Sequence, residues 1–190
     1  LKLAGEIQSS ILPLKEDLVS AFKDHFVLFL PKDIVSGDFY WTKKTPRYTL
    51  AAVVDCTGHG VPGAYMSLMA YELLEDISRK SPDIEPEQLM KELNNRLVKQ
   101  RAHHAFSENP GLDISLVGLD KKNNQVVFTG SRQPLWVLDL SKNELEEIKP
   151  EKHFMGLHKD VEFPQQIVPG GKNRCFYLFS DGYTDQIGEA

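Results

Sequence analysis

Residues 50–64 read LAAVVDCTGHGVPGA. The run LAAVV, extended back to Tyr48 and Thr49, predicts a buried strand over 48–54 that delivers Asp55 at its end. Gly58, Gly60, Pro62 and Gly63 then punctuate the chain. From about Val61 to Arg79 the period turns helical, with Ala64, Leu68, Tyr71, Leu74 and Ile77 on one face. Pro62 suits a first helical turn, where a missing N–H costs nothing. A carboxylate at a strand end, followed by glycine and a helix N-terminus, is poorly placed for packing. It is well placed to bind a hard cation, beside a positive dipole end that favours phosphate. As a plain helix cap Asp55 would stand several residues too early.

The same arrangement recurs on either side. Asp38 lies in VSGDFYW, 35–41, and Asp181 in CFYLFSDGYTD, 175–185. Strand alternation puts Asp38 on one face with Ser36 and Tyr40. Alone it reads as a solvent-facing strand residue; with Asp55 and Asp181 it reads as part of one metal centre. Three such carboxylates point to metal-assisted hydrolysis, most often of phosphate esters. Asp185 is a helix cap, a surface residue or a further ligand. Asp113, in GLDISLVGLD, is a turn-to-strand boundary residue or a group that orients water. His59, between two glycines, is a candidate general acid or a loop bystander. His103, His104, His153 and His158 have no zinc-ligand spacing. Cys56 has no obvious base to make it a nucleophile, but its carbonyl is a candidate oxygen ligand.

The remaining chain is ordinary for one soluble domain: 190 residues, 41% hydrophobic, 26% charged. The net charge of −5 argues against nucleic acid as a partner. No apolar run approaches the roughly 20 residues that span a membrane, and no signal peptide is visible. Two cysteines suggest a reducing compartment. The expected location is cytoplasmic, as a free protein or as the cytoplasmic domain of a membrane-anchored sensor. Residues 1–12 predict a helix, with Ala4, Ile7, Ile11 and Leu14 in coiled-coil spacing. That helix either packs on its own domain or forms a homodimer through residues 1–14. Both ends read as cut from a longer chain. Strands are expected at 26–30, 34–41, 113–120, 125–130, 134–140, 161–168 and 174–180, and a second helix from Pro86 to about Ala102, with Leu89, Leu93 and Leu97 on one side. KKNN at 121–124 and SKN at 141–143 read as hairpin turns. The sum is antiparallel sheet with a helix pair inserted after the third strand.

VSGDFYW, VVDCTGHGVPGAYMSLMA, DISLVGLD, TGSRQPLWVLD and FYLFSDGYTDQ run in the order seen in the SpoIIE-like branch of PPM-type protein phosphatases. AGEIQSSILP resembles the linker helix that precedes that domain. The resemblance implies an α+β fold, an α/β/β/α sandwich of two antiparallel sheets flanked by helices. It divides the chain into a linker helix, 1–14, and a phosphatase domain, 15–190, whose C-terminal end is missing. It implies two Mn²⁺ or Mg²⁺ ions on Asp38, Asp55 and Asp181, with Asp55 bridging and the Cys56 carbonyl contributing. The implied substrate is a phosphoserine or phosphothreonine protein, such as an anti-sigma-factor antagonist, with an upstream sensor domain in the same chain. Cys56 departs from the family's usual glycine, and the family's closing DD-T-like segment lies beyond Ala190. Two rival functions follow: a catalytically silent sensor or scaffold, and an aspartic protease. The protease signature needs Ser or Thr after the aspartate in two loops, where this chain has Cys56 and Gly182.

Overall fold

The structure, a computed structural model, describes residues 2–31, 33–103, 111–168 and 170–184. Two short helices, α1 (Lys2–Ile11) and α2 (Lys15–Ala21), precede β1 (Phe39–Lys44) and β2 (Tyr48–Cys56). The helix pair α3 (Gly60–Lys80) and α4 (Pro86–His103) follows. Then come β3 (Leu112–Asp120), β4 (Gln125–Ser131), β5 (Leu135–Asp139), β6 (Glu144–Ile148), β7 (Gln166–Val168), β8 (Arg174–Tyr177) and the single turn α5 (Asp181–Thr184). The first sheet has the order β1-β2-β3-β4-β7 and the second β6-β5-β8. Every ladder is antiparallel. This is the expected α+β architecture of two antiparallel sheets with helices.

The two faces of the first sheet do different work. Tyr48, Leu50, Ala52, Val54 and Cys56 alternate along β2 and are buried, as are Leu112, Ile114 and Leu116 on β3. They meet Met66, Ala70, Leu74 and Ile77 of α3 and Leu89, Met90, Leu93 and Leu97 of α4 in one apolar cluster. The opposite face contributes Val117, Val126 and Phe128, which pack with Leu135 and Val137 of the second sheet. Asp55 and Asp113 belong by parity to this inter-sheet face.

The sequence expectations fail in instructive places. FVLFL at 26–30 forms no strand; Phe26, Leu28 and Leu30 are exposed. β1 begins at Phe39, later than the expected 34, because β2 pairs with it only from Val54 back to Thr49. The expected strands at 161–168 and 174–180 shrink to β7 and β8. The buried stripe of α3 runs through Ala64, Ser67, Ala70, Leu74 and Ile77, while Leu68 and Tyr71 are half-buried. No described helix is long and apolar enough to cross a membrane.

Leu74 is 0% exposed at the centre of the helix–sheet cluster. Leu74→Ala is therefore expected to cost about 2–5 kcal/mol of stability, read as a lower urea midpoint at unchanged slope. A loss below about 1 kcal/mol would place Leu74 outside the cooperative core.

Candidate metal centre

Three segments converge because glycine lets their backbones touch. A Cβ on Gly37 would lie 2.7 Å from the Cys56 carbonyl oxygen and 2.9 Å from that of Gly58. A Cβ on Gly63, in the first turn of α3, would lie 2.5 Å from the Gly58 carbonyl oxygen. Only hydrogen fits at either place. The loop before β1, the turn after β2 and the start of α3 are thus pressed into one corner. Within it the Asp38 N–H donates to Ser36 Oγ at 3.0 Å. The Ser36 N–H donates to Gln8 Oε1 of α1, and Gln8 Nε2 donates to the Ser36 carbonyl and to Ser67 of α3. From the second sheet, β8 carries the chain to Ser180, whose hydroxyl donates to Asp38 Oδ2 at 2.7 Å. Asp181 follows at the start of α5.

Asp38, Asp55 and Asp181 therefore meet. Asp55 is in side-chain hydrogen-bonding reach of both others. Burial first, then the charges of Asp38 and Asp181, push its carboxyl up to about 8. Across the β2–β3 ladder Asp55 faces Asp113 directly. Burial raises Asp113 to about 6, with Arg132 pulling down and Asp181 pushing up. Among the described residues, no three His, Cys, Asp or Glu side chains already surround a common point as metal ligands; the aspartates are joined pairwise through Asp55. The donor chemistry nonetheless fits divalent cations. The side chains offered are carboxylates alone, crowded enough that Asp55 holds a proton an ion would displace, and the Cys56 carbonyl lies against Gly37, next to Asp38. Oxygen-only donors suit Mg²⁺ or Mn²⁺ better than zinc.

The other expected site residues divide. His59 sits at the N-cap of α3, exposed, with no side-chain capping bond. Cys56 turns its thiol into the apolar cluster, where burial holds it well above the ordinary thiol range. That disposes of a thiol nucleophile and shows how the turn accommodates a Cβ there. Asp113 is brought to the centre. Asp185 and His104 lie outside the described residues. The sequence reading missed Gln8, Ser180 and Arg132; Ser36 was placed on the face of Asp38 but given no task. A surface cleft lined by Pro46, Arg47, Asp83, Lys121 and Lys122 lies at the far end of β2 from Asp55, and Arg47 there is spent on Asp120 and Glu85.

Residues 45–190 match the family model of stage II sporulation protein E, SpoIIE. The chain belongs to the SpoIIE family. The SiaA-PP2C domain of Pseudomonas aeruginosa is 30% identical and superposes with a TM-score of 0.86, over 100% of this chain and 73% of that one. The PP2C phosphatase domain of SpoIIE from Bacillus subtilis, solved with a fragment of its regulatory domain, is 18% identical, with a TM-score of 0.62 over 82% of this chain and 44% of that one. RsbX, solved in complex with magnesium, is 16% identical, with a TM-score of 0.58 over 78% and 67%. The last two establish the fold alone. No curated protein sequence matches. This SpoIIE-family chain thus has the PPM phosphatase fold that its five ordered segments imply.

The raised carboxyl of Asp55 has a measurable consequence. In the absence of divalent ions the folded chain keeps a proton there that the unfolded chain has already lost, between about pH 4 and about pH 8. Stability falls as pH rises through that window, and the penalty is complete above it. In EDTA at about pH 9, Asp55→Asn is expected to unfold at least roughly 2 °C above the unsubstituted chain, with the gap closing toward about pH 4. A gap independent of pH would refute the crowding of these carboxylates.

Proposed function

We propose that this chain is a metal-dependent protein serine/threonine phosphatase. It would hydrolyse phosphoserine or phosphothreonine on a bacterial signalling protein, such as an anti-sigma-factor antagonist, as the output domain of a sensor protein. The observation that carries the reading is the convergence of Asp38 before β1, Asp55 of β2 and Asp181 at the start of α5, in a chain of the SpoIIE family. Asp38, Asp55, Asp181 and the Cys56 carbonyl are the groups to hold two Mn²⁺ or Mg²⁺ ions. Bound there, the ions supply Lewis acidity toward a phosphoryl group and an attacking water.

This chain's own residues have separable tasks. Asp55 must give up its proton to act as a ligand, so ion binding releases protons below about pH 8. Ser180, by holding Asp38 Oδ2, fixes the orientation of that carboxylate and leaves its other oxygen to bind. The start of α3, beside the same turn, favours the phosphate charge. His59 stands exposed at that start, where it can protonate the leaving serine oxygen. Residues 1–14 are the proposed route from an upstream domain, and a homodimer contact. Leu3 and Ile7 of α1 are exposed, while Gly5 and Gln8 face Ile34, Ser36 and Ser67.

The silent-scaffold alternative rested on the family's closing segment lying beyond Ala190 and on Cys56 standing where glycine is usual; only the second is addressed by the fold. Burial of its thiol in the core removes that objection to ligation by its carbonyl. Hydrolysis of para-nitrophenyl phosphate by the full-length protein is expected to require Mn²⁺ or Mg²⁺ and to stop in EDTA. Asp55→Asn is expected to lose at least about two orders of magnitude in kcat/KM. Turnover that survives either change would defeat the proposal.

A further inference from the structure

Arg132 occupies a position that costs energy to keep. β4 ends at Ser131, and the N–H of Gln133 donates back to the Ser131 carbonyl at 2.7 Å, so the chain reverses around Arg132. Its φ is 59°, in the left-handed region where a side chain is disfavoured by roughly 1–2 kcal/mol. The backbone is pinned there: the Arg132 N–H donates to the Glu151 carbonyl at 2.7 Å, and Arg132 bridges in parallel to Ile114, the neighbour of Asp113. The side chain is 53% exposed, with its guanidinium 5.2 Å above the Phe154 ring. Its Nε lies 3.6 Å from Asp113 Oδ2. Asp113 in turn faces Asp55 across the ladder.

This ion pair is loose by the standard of the same molecule. Arg47 grips Asp120 Oδ2 with two nitrogens, at 2.9 and 3.2 Å. Among the described residues Arg132 makes one long ion pair besides its stacking on Phe154, and Asp113 Oδ1 is buried with no hydrogen-bond partner. Gln133, 6% exposed, likewise leaves both amide atoms unpartnered among the described residues. A guanidinium whose purpose was to neutralise Asp113 would close on it bidentately. One held half-exposed at the rim of a carboxylate centre, its fork largely unspent among the described residues, suits an incoming tetrahedral dianion.

We infer that Arg132 is the phosphate-recognising residue of this site. It takes the dianionic phosphomonoester of a phosphoserine or phosphothreonine side chain, with Asp113 as its counter-ion between substrates. The inference rests on the phosphatase reading above but is testable apart from it. Arg132→Gln keeps a polar side chain on an exposed arm, and an unchanged thermal unfolding temperature checks that the fold is kept. With Mn²⁺ and para-nitrophenyl phosphate, Arg132→Gln is expected to raise KM, and the inhibition constant of inorganic phosphate, by about tenfold or more, while kcat stays within about threefold. Arg132→Lys should recover part of that affinity as a point charge. Asp113→Asn, which removes the competing anion, should tighten inorganic phosphate. A kcat loss at unchanged KM, or an unchanged phosphate constant, overturns the inference. If the unsubstituted protein turns nothing over, calorimetric titration with inorganic phosphate in Mg²⁺ decides the matter. Binding that weakens in Arg132→Gln upholds the role of Arg132 while the phosphatase reading falls; equal binding, or none, overturns it.

Discussion

The repulsion among Asp38, Asp55 and Asp181 is the constraint around which this molecule is built. Two like charges about 4 Å apart repel by about 4 kcal/mol at an effective dielectric of about 20. Left to themselves the three chain segments would separate. What keeps them together is backbone. β2 is paired with β1 from Thr49 to Val54 and with β3 as far as Cys56, so Asp55 is held in the ladder opposite Asp113. The glycines at 37 and 63 carry no Cβ to hold the neighbouring loops apart. Ser180 ties the second sheet to Asp38 by a hydroxyl, a neutral group that bonds an anion without adding to the charge.

The division of labour between the faces of the first sheet follows from the period of two along a strand. On β2, Val54 and Cys56 enter the helix-facing core, and Asp55 between them is left on the face toward the second sheet. The same parity puts Asp113 beside it between Leu112 and Ile114. One apolar alternation thus does two tasks. It anchors the sheet to α3 and α4, and it aims the acidic side chains into the seam between the sheets. A slip of one residue in the β2–β3 register would reverse both at once.

Much of this was legible in the sequence. The strand–aspartate–glycine–helix passage at 48–80 is a change of period from two to 3.6, which local pattern reports well. Leu89, Leu93 and Leu97 gave the buried stripe of α4, and all three are buried. FVLFL misled because propensity describes what a segment tolerates, while a strand needs a partner, and 26–30 is laddered to none of the described strands. β6, ELEEI, was not read as a strand because it is an exposed edge whose charges hide the alternation. The metal-type aspartates stood out because each combines an apolar strand with a glycine. Arg132 did not, because what marks it is a backbone angle and a neighbour across the sheet, neither of which a linear string displays.

Gln8 shows what these ties mean for cooperativity. Its amide accepts from the Ser36 N–H and donates to the Ser36 carbonyl, the pattern by which one strand residue satisfies another. A side chain on α1 thus acts as a surrogate strand neighbour for the segment leading into Asp38. Fraying of α1 would strip the Ser36 N–H of its partner in a partly buried corner and leave the Ser36 carbonyl the longer bond from the Ser67 hydroxyl, at 3.3 Å. Helix α1 and the segment leading into Asp38 are thereby tied into one cooperative unit.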